Sequence, residues 1–518
     1  MSYKSKARKL GKYNSDNHHA SYCILIAITA VGVFTVGVFI VAWMLPSCFD
    51  GFFITPSQTI QGSLLLLTAL IAVCGVIYSS EQNVLISKNN LRDSEAARLT
   101  SSNFEIKESL RSRYSIAVSQ LESDRIYTRV NAVNTLALLA EEWQRLSNLD
   151  NAGLERALCI DSLCAYLKTP AASKEHIADE TIVRQAICSQ MQSHLSTNCD
   201  VASSWRDHTF DLENALFYGE VRFSDLCFEK YPSFAGSFFF DDTTFTRTTF
   251  SEGVDFSDVT FYGAAAFTGS TFSKTAHFIN TTFSGGGGFR NVNFQNIANF
   301  ENAQFLIGAR FDSASFFGVA IFNDSSFTEA ASFRNSTFSS NALYFKAKFF
   351  GGTLFDNASF LGDAYFDESK LHGTALFRNS TFSSKAVFDN TKFFGPAVFQ
   401  QVQFSGTTSF QNAGFFDNAK FDFSKFSLFA NFYKSTFYRT SSFSKTIFSE
   451  DASFLQASFL STIDSDFSSF ENTIFNKSSD FRVVVFKSSC SFINASWIVN
   501  TYLDKIIKPF SLNSTGVM

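Results

Sequence analysis

The chain has 518 residues, a formal net charge of −5 and nine cysteines. The small net charge argues against a surface built as a whole for a strongly acidic or basic partner. No two cysteines form a CxxC pair, which argues against a zinc knuckle and a disulfide framework and favours a reducing compartment. The unusual feature is 66 phenylalanines beside only 6 prolines and 4 methionines, which indicates one repeated environment.

The N-terminal part of the chain predicts a membrane anchor. After a basic N-terminus at residues 1–20, the uncharged stretches Ser21–Phe49 and Gly62–Ser79 favour two transmembrane helices within residues 21–80, joined by a short external loop. The first stretch is too long for a signal peptide and lacks a cleavage site. Lysine and arginine flank the pair of stretches and are absent from the linker 46–61, so the N and C termini are expected in the cytoplasm.

Residues 81–200 predict a cytoplasmic α-helical region. Apolar residues recur there at three-to-four spacing, with further helices expected at Leu154–Leu167 and Ile182–Leu195. Residues 81–103 have fewer apolar positions and are expected to extend the second membrane helix as a stalk. His176, Cys188 and His194 share no metal-ligand spacing. We therefore expect Cys188 on a buried face and both histidines in solvent.

A phenylalanine ladder follows, with steps that alternate between five and six residues. From Phe245 to Phe459 it has 40 positions, of which 38 are Phe and the exceptions are Tyr344 and Leu371. A small residue usually stands two positions earlier, and polar turn residues fill the gaps. Two steps of each kind together make the predicted coil of a solenoid. Ser465 interrupts the ladder, and a phase slip of one residue is expected near Phe470–Phe475.

The ladder positions predict the structural core, since one large side chain per step points inward. Representative members are Phe245, Phe250, Phe256, Phe261, Phe300, Phe305, Phe311, Phe316, Phe333 and Phe338.

The central Phe and the small residue two positions before it resemble the pentapeptide-repeat family. The resemblance covers about Phe210 to Trp497 and implies an all-β, right-handed quadrilateral β-helix, which we expect over residues 205–497. The extra residue in alternate steps departs from the family pattern and predicts a bulge at a corner. The segment RYSIAVSQLESDRIYTRVNAVNTLALLA resembles the region between membrane helices and repeats in bacterial membrane-anchored members, which implies the bacterial inner membrane.

Other classes fit the Phe-rich region less well. A disordered Phe/Gly/Ser mesh would not keep register over 40 ladder positions, and an outer-membrane barrel needs strict alternation that is absent. His208, His277 and His372 share no coil phase with acidic partners, and Ser284–Gly288 is a glycine run between two ladder positions. We therefore expect no enzyme activity, no catalytic or metal residues and no cofactor.

The sequence favours a non-catalytic scaffold that binds an unidentified protein partner on the cytoplasmic side. The alternative is a DNA-mimic modulator of a topoisomerase such as gyrase, which the resemblance allows. From residue 201 onward there are 24 basic and 29 acidic residues, too mixed for a phosphate-like surface. No basic stripe predicts nucleic-acid binding either.

Possible docking residues directly follow ladder positions. Phe350 and Phe394 are two coils apart and Phe394 and Phe416 are one coil apart, so the three are expected on one face, with Phe317 opposite. Such a strip would be an apolar docking surface. Residues 498–518 are expected to cap the last coil, and the apolar segment SWIVNTYLDKII that leads into them is interpreted as helical. This segment is alternatively a surface for homodimerisation.

Overall fold

The computed structural model describes residues 26, 29–30, 32–34, 36–37, 40, 56–171, 176–200, 203–461, 466–487, 489–498 and 501–502. The chain divides into two compact units, residues 1–108 and 109–518.

The first unit contains most of a long helix, α1 (Pro56–Leu121). Proline suits the first turn of a helix because the amide hydrogen it lacks would have no partner there. Part of the predicted linker, residues 56–61, is therefore helical. Among the described residues, Leu64–Leu121 is the one helix long and apolar enough to cross a membrane, judged by length and composition. The first predicted span, residues 21–49, lies outside the described residues except for nine scattered helical positions.

In the second unit, three helices follow α1: α2 (Ile126–Arg145), α3 (Ala152–Lys168) and α4 (Ile177–Leu195). The predicted segments 154–167 and 182–195 lie within α3 and α4. Helix α2 shows why the three-to-four spacing gives a helix here. Its residues Val133, Leu136, Ala140 and Trp143 lie on one buried stripe that packs into the core.

The helices cover the start of the β region. The fully buried Arg184 of α4 donates hydrogen bonds of 2.7 Å to the carbonyl oxygens of Leu167 and Leu216. The ring of His194 stacks on Trp205 with centroids 4.1 Å apart. A solenoid end would otherwise expose apolar core and unpaired backbone groups, so this packing protects the first coil.

Residues 216–502 form a β-solenoid of about 13 coils with four parallel sheets as its sides. Each strand pairs with the strand one coil away. Strands consist of two residues and recur once per coil, with longer ones only at the C-terminal end. We number the four sides as faces 1 to 4 in chain order. The strands of face 1 run from Leu216–Phe217 to Ser458–Phe459, followed by Val485–Phe486, and those of face 2 from Val221–Arg222 to Ser441–Ser442, followed by Phe467–Ser469 and Ser489–Ser491. The strands of face 3 run from Cys227–Phe228 to Ile447–Phe448, followed by Ile474–Phe475 and Ser496–Trp497, and those of face 4 from Val254–Asp255 to Ala452–Ser453, followed by Ser479–Asp480 and Thr501–Tyr502.

The alternating step comes from two kinds of corner. The five-residue step, after faces 2 and 4, contains a residue with a left-handed backbone, such as Asn302 (φ 57°) or Asn335 (φ 57°). Asparagine tolerates that conformation better than most side chains, which explains its frequency there. The six-residue step, after faces 1 and 3, holds the extra residue. The predicted corner bulge therefore lies at two of the four corners, and the coil keeps four sides.

Small residues two positions before each ladder ring have two roles. On faces 2 and 4 they are usually alanines that fill the space between large rings, as Ala298 does. On faces 1 and 3 many are buried hydroxyl residues that bond to the preceding coil. Ser270 and Thr281 each donate a 2.7 Å hydrogen bond to the carbonyl oxygens of Phe245 and Phe256, respectively. These hydroxyls are thus hydrogen-bonded inside an apolar core.

The interruption at Ser465 has a different cause from the predicted one. Phe470 stacks on Phe443 at 4.9 Å and Phe475 on Phe448 at 5.0 Å, so the coil here is longer than the others. Five residues are inserted between Ser461 and Phe467, and the expected slip of one residue is wrong. Ser465 itself lies outside the described residues.

The C-terminal segment continues the solenoid instead of forming a helix. Ser496–Trp497 extends face 3 and Thr501–Tyr502 extends face 4, so the helical interpretation is wrong for these residues. The remainder of the predicted cap, residues 503–518, lies outside the described residues.

Candidate protein-docking surface

Five exposed rings form a continuous stack on face 1, which we call the aromatic column: Phe350, His372, Phe394, Phe416 and Tyr438. Successive ring centroids are 5.0, 4.5, 4.9 and 4.7 Å apart, and adjacent rings are within 16° of parallel. The phenylalanine and tyrosine side chains are 37–48% exposed. The column therefore presents aromatic ring edges to solvent over five consecutive coils.

The strand geometry of face 1 explains why these rings point outward. The ladder residue Phe349 is fully buried, and side chains alternate sides along an extended chain, so Phe350 faces solvent. The same alternation holds at each later coil. Parallel in-register pairing, for instance of Phe393 with Phe415, then places each outer ring above the previous one.

The predicted docking residues Phe350, Phe394 and Phe416 all lie in the aromatic column. Phe317 follows Phe316 on face 3, and its side chain is 54% exposed. Faces 1 and 3 are separated by one face on either side, so Phe317 is not part of the column.

Sequence reasoning missed His372 and Tyr438, which occupy the same coil position. Counting forward from Phe350 by whole coils would have found both residues, whereas a search for adjacent phenylalanines passes over other ring types. An earlier stack at this position joins Tyr218 to Phe240 at 4.8 Å and Phe240 to Tyr262 at 5.4 Å.

The ten representative ladder residues all lie inside the solenoid, with at most 1% exposure. Rings of one face stack across coils, as Phe300 and Phe322 do at 4.9 Å, and rings of faces 2 and 4 meet edge-on across the core, as Phe300 and Phe311 do at 5.3 Å. Both arrangements are favourable for aromatic pairs. This core fixes the outer residues of each coil in position.

At some positions on the solenoid surface, the sign of the charge alternates from one coil to the next along the solenoid axis. Following face 2, Arg290 pairs with Asp312 at 3.2 Å, and Asp356 pairs with Arg334 at 3.4 Å and with Arg378 at 3.1 Å. Each of these arginines therefore lies beside a carboxylate one coil away. The surface at the corner that follows face 2 in the chain is locally close to neutral.

Among the described residues, no group of three or more His, Cys, Asp and Glu side chains is arranged to hold a metal ion. Cys188 is buried as expected, and burial raises the pKa of its thiol to about 12. His176 is exposed, but the solvated position expected for His194 is wrong. The His194 side chain is buried, and its Nε2 lies 3.1 Å from a carboxylate oxygen of Glu141.

A family model described as pentapeptide repeats matches residues 267–314 and 366–414, with nine copies. No curated protein and no solved structure matches the chain. Both matched segments lie within the solenoid, where the ladder keeps its steps of five and six residues and Leu371 is the one member without a ring. The coil of four short strands around stacked phenylalanines agrees with the family match, and the matched segments of the solenoid consist of pentapeptide repeats.

Proposed function

We propose that this protein is a membrane-anchored, non-catalytic scaffold that binds a protein partner through the aromatic column. The observation that carries the proposal is the unbroken stack from Phe350 to Tyr438, because five exposed rings at one position are not needed to fill the core. Aromatic side chains are enriched where proteins bind each other. A rigid solenoid also holds them without the loss of entropy that a flexible loop would suffer on binding.

The anchor belongs to the proposal as a multi-pass segment in the bacterial inner membrane with both termini in the cytoplasm. The apolar, charge-free start of Leu64–Leu121 supports it, as do the basic residues that flank the two uncharged stretches. We expect the protein to stay in the pellet after alkaline carbonate extraction of membranes. Release into the supernatant would contradict an integral anchor.

Topoisomerase modulation by DNA mimicry is the weaker candidate. It needs an extended acidic face, whereas the surface after face 2 alternates arginine with aspartate at 3.1–3.4 Å. We therefore keep the scaffold as the function that the geometry supports best.

The test is cross-linked affinity capture of the tagged full-length protein from membranes. Changing Phe350, Phe394 and Phe416 together to Ser is expected to abolish recovery of the specific partner. The matched control changes Phe317, Leu361 and Leu428 to Ser, which are exposed apolar side chains outside the column. Circular dichroism should be the same for both variants. The proposal would be contradicted if the column variant recovered as much partner as the unchanged protein, or if the control variant lost as much as the column variant. Recovery of gyrase subunits would instead favour DNA mimicry.

A further inference from the structure

Three lysines form a second column on face 1, beside the aromatic column. Lys348, Lys370 and Lys392 are exposed and pair in register across adjacent strands. Each stands two residues before a member of the aromatic column, so both side chains point outward on either side of a buried ladder residue. Neighbouring parallel strands are about 4.8 Å apart, so three like charges lie close together in a row parallel to the solenoid axis.

This lysine column is not neutralised as other charged positions are. Just before these strands, at the preceding corner, Lys346 has Glu368 at 3.9 Å, and the surface after face 2 alternates in sign. In the part of the chain that the structure describes, no carboxylate lies within ion-pair distance of Lys348, Lys370 or Lys392. Adjacent like charges destabilise a sheet, so an external anion would relieve an unfavourable arrangement.

The aromatic column adds to the attraction for an anion. Its rings stack face to face, so their edges point to solvent, and the edge is the positive part of an aromatic quadrupole. The corner beside the first three rings consists of Gly351, Gly373 and Gly395, which carry no side chain over those edges, whereas Asp417 and Arg439 follow the last two rings. A Cβ at Gly373 would lie 2.4 Å from the carbonyl oxygen of Gly351, so this corner requires glycine.

We propose that the lysine and aromatic columns form one docking surface for an acidic protein segment, whose carboxylates pair with the lysines while its apolar side chains cover the rings. This rests on the proposed scaffold function and names the chemistry of the partner. A single-stranded nucleic acid fits less well, because base stacking needs open ring faces and here the rings cover one another.

The experiment uses the full-length protein in zwitterionic nanodiscs and a fluorescein-labelled peptide with four repeats of Glu-Phe-Glu-Gly. Its counterpart repeats Gln-Phe-Gln-Gly. By fluorescence anisotropy, the acidic peptide is expected to bind about tenfold more tightly than the neutral one, and added salt should reduce the difference. Changing Lys348, Lys370 and Lys392 to Gln should weaken binding of the acidic peptide about tenfold.

The matched control changes Lys274, Lys420 and Lys425 to Gln. These exposed lysines lie on faces 2 and 3 or beside them, so the net charge changes equally, and affinity should stay within about twofold. Equal loss in the control, or equal affinity for the neutral peptide, would overturn the proposal. Stronger lysine-dependent binding to a single-stranded oligonucleotide or to phosphatidylglycerol vesicles would also overturn it, by assigning the surface to another ligand.

The two proposals fail in different ways. If the aromatic variant loses its captured partner while the lysine variant keeps it and the acidic peptide does not bind, the scaffold function stands and the acidic partner is wrong. If neither variant affects capture, the docking surface itself is wrong.

Discussion

Replacing Tyr344 with Phe should stabilise the solenoid. Tyr344 occupies a ladder position and is fully buried, and its ring stacks between Phe322 at 4.9 Å and Phe366 at 4.7 Å. Within the described residues its hydroxyl has no hydrogen-bond partner. Burial raises the pKa of Tyr344 well above its ordinary value, which agrees with a dry environment around the oxygen.

The expected gain follows from the cost of burying an unpaired hydroxyl, about 1–3 kcal/mol. The substitution keeps the ring and therefore its stacking and its edge contact with Phe355 at 5.6 Å. Some of the gain is offset by the small space left where the oxygen was, so about 1–2 kcal/mol is expected. For a unit of about 400 residues that corresponds to a rise of about 1–2 °C in the unfolding midpoint.

Thermal unfolding followed by circular dichroism, with hydrogen exchange of the central coils, would measure the effect. The matched control is Tyr365→Phe, because the hydroxyl of Tyr365 is partly exposed and donates a 3.1 Å hydrogen bond to Asp363. That change should leave stability the same or slightly lower. An unchanged or lowered midpoint for Tyr344→Phe would refute the reasoning, since it would mean that the hydroxyl is satisfied.

Three further predictions concern the carboxylate of Asp367, the helices that cover the first coil and the glycine corner beside the aromatic column. Burial raises the pKa of Asp367 to about 6, and the charge of Asp389 adds to this shift. The pKa in an unfolded chain is about 3.9, so the native state binds the proton more tightly than the unfolded state does. The cost of the buried charge is therefore present above pH 6 and disappears towards pH 4. Asp367→Asn should therefore raise the free energy of unfolding at pH 8 by about 1 kcal/mol after allowing for solvent screening, and leave it unchanged at pH 4, as thermal unfolding at both pH values would show. Arg184→Met should cost about 3–5 kcal/mol, because it removes one of the two arginines that pair with Glu180 and leaves the carbonyl oxygens of Leu167 and Leu216 without their donor, and hydrogen exchange should rise in the first coil more than in central coils. Gly373→Ala should cost about 1–3 kcal/mol, because its Cβ would meet the preceding coil at 2.4 Å, and faster exchange confined to the flanking coils would verify it.

Much of the solenoid could be predicted because its core residues recur at short, regular spacings in the sequence. A ring every five or six residues, with a small residue two positions before it, leaves few ways to bury 38 phenylalanines other than stacking them coil on coil. The length of the coil and the alignment of Phe350, Phe394 and Phe416 follow from counting alone. The helices of the N-terminal region were also predictable, since their apolar stripes have the helical period.

Other features depended on contacts between distant parts of the chain. The burial of His194 against Trp205 and Glu141 joins three segments whose proximity no spacing indicates. The strands at Ser496–Trp497 and Thr501–Tyr502 form because the preceding coil offers unpaired backbone groups, which overrides the helical appearance of that segment.

The sequence by itself determined the repeat, the coil length and the inward ladder, because each depends on side-chain size recurring at fixed steps. Only the tertiary structure decided which corner holds the extra residue and how the outer residues line up in columns. Stacking of coils turns residues one coil apart in the chain into neighbours, and so it brings His372 and Tyr438 into the aromatic column and three uncompensated lysines beside it. Surface chemistry of this kind arises from the register between coils, which a single unit of the repeat does not contain.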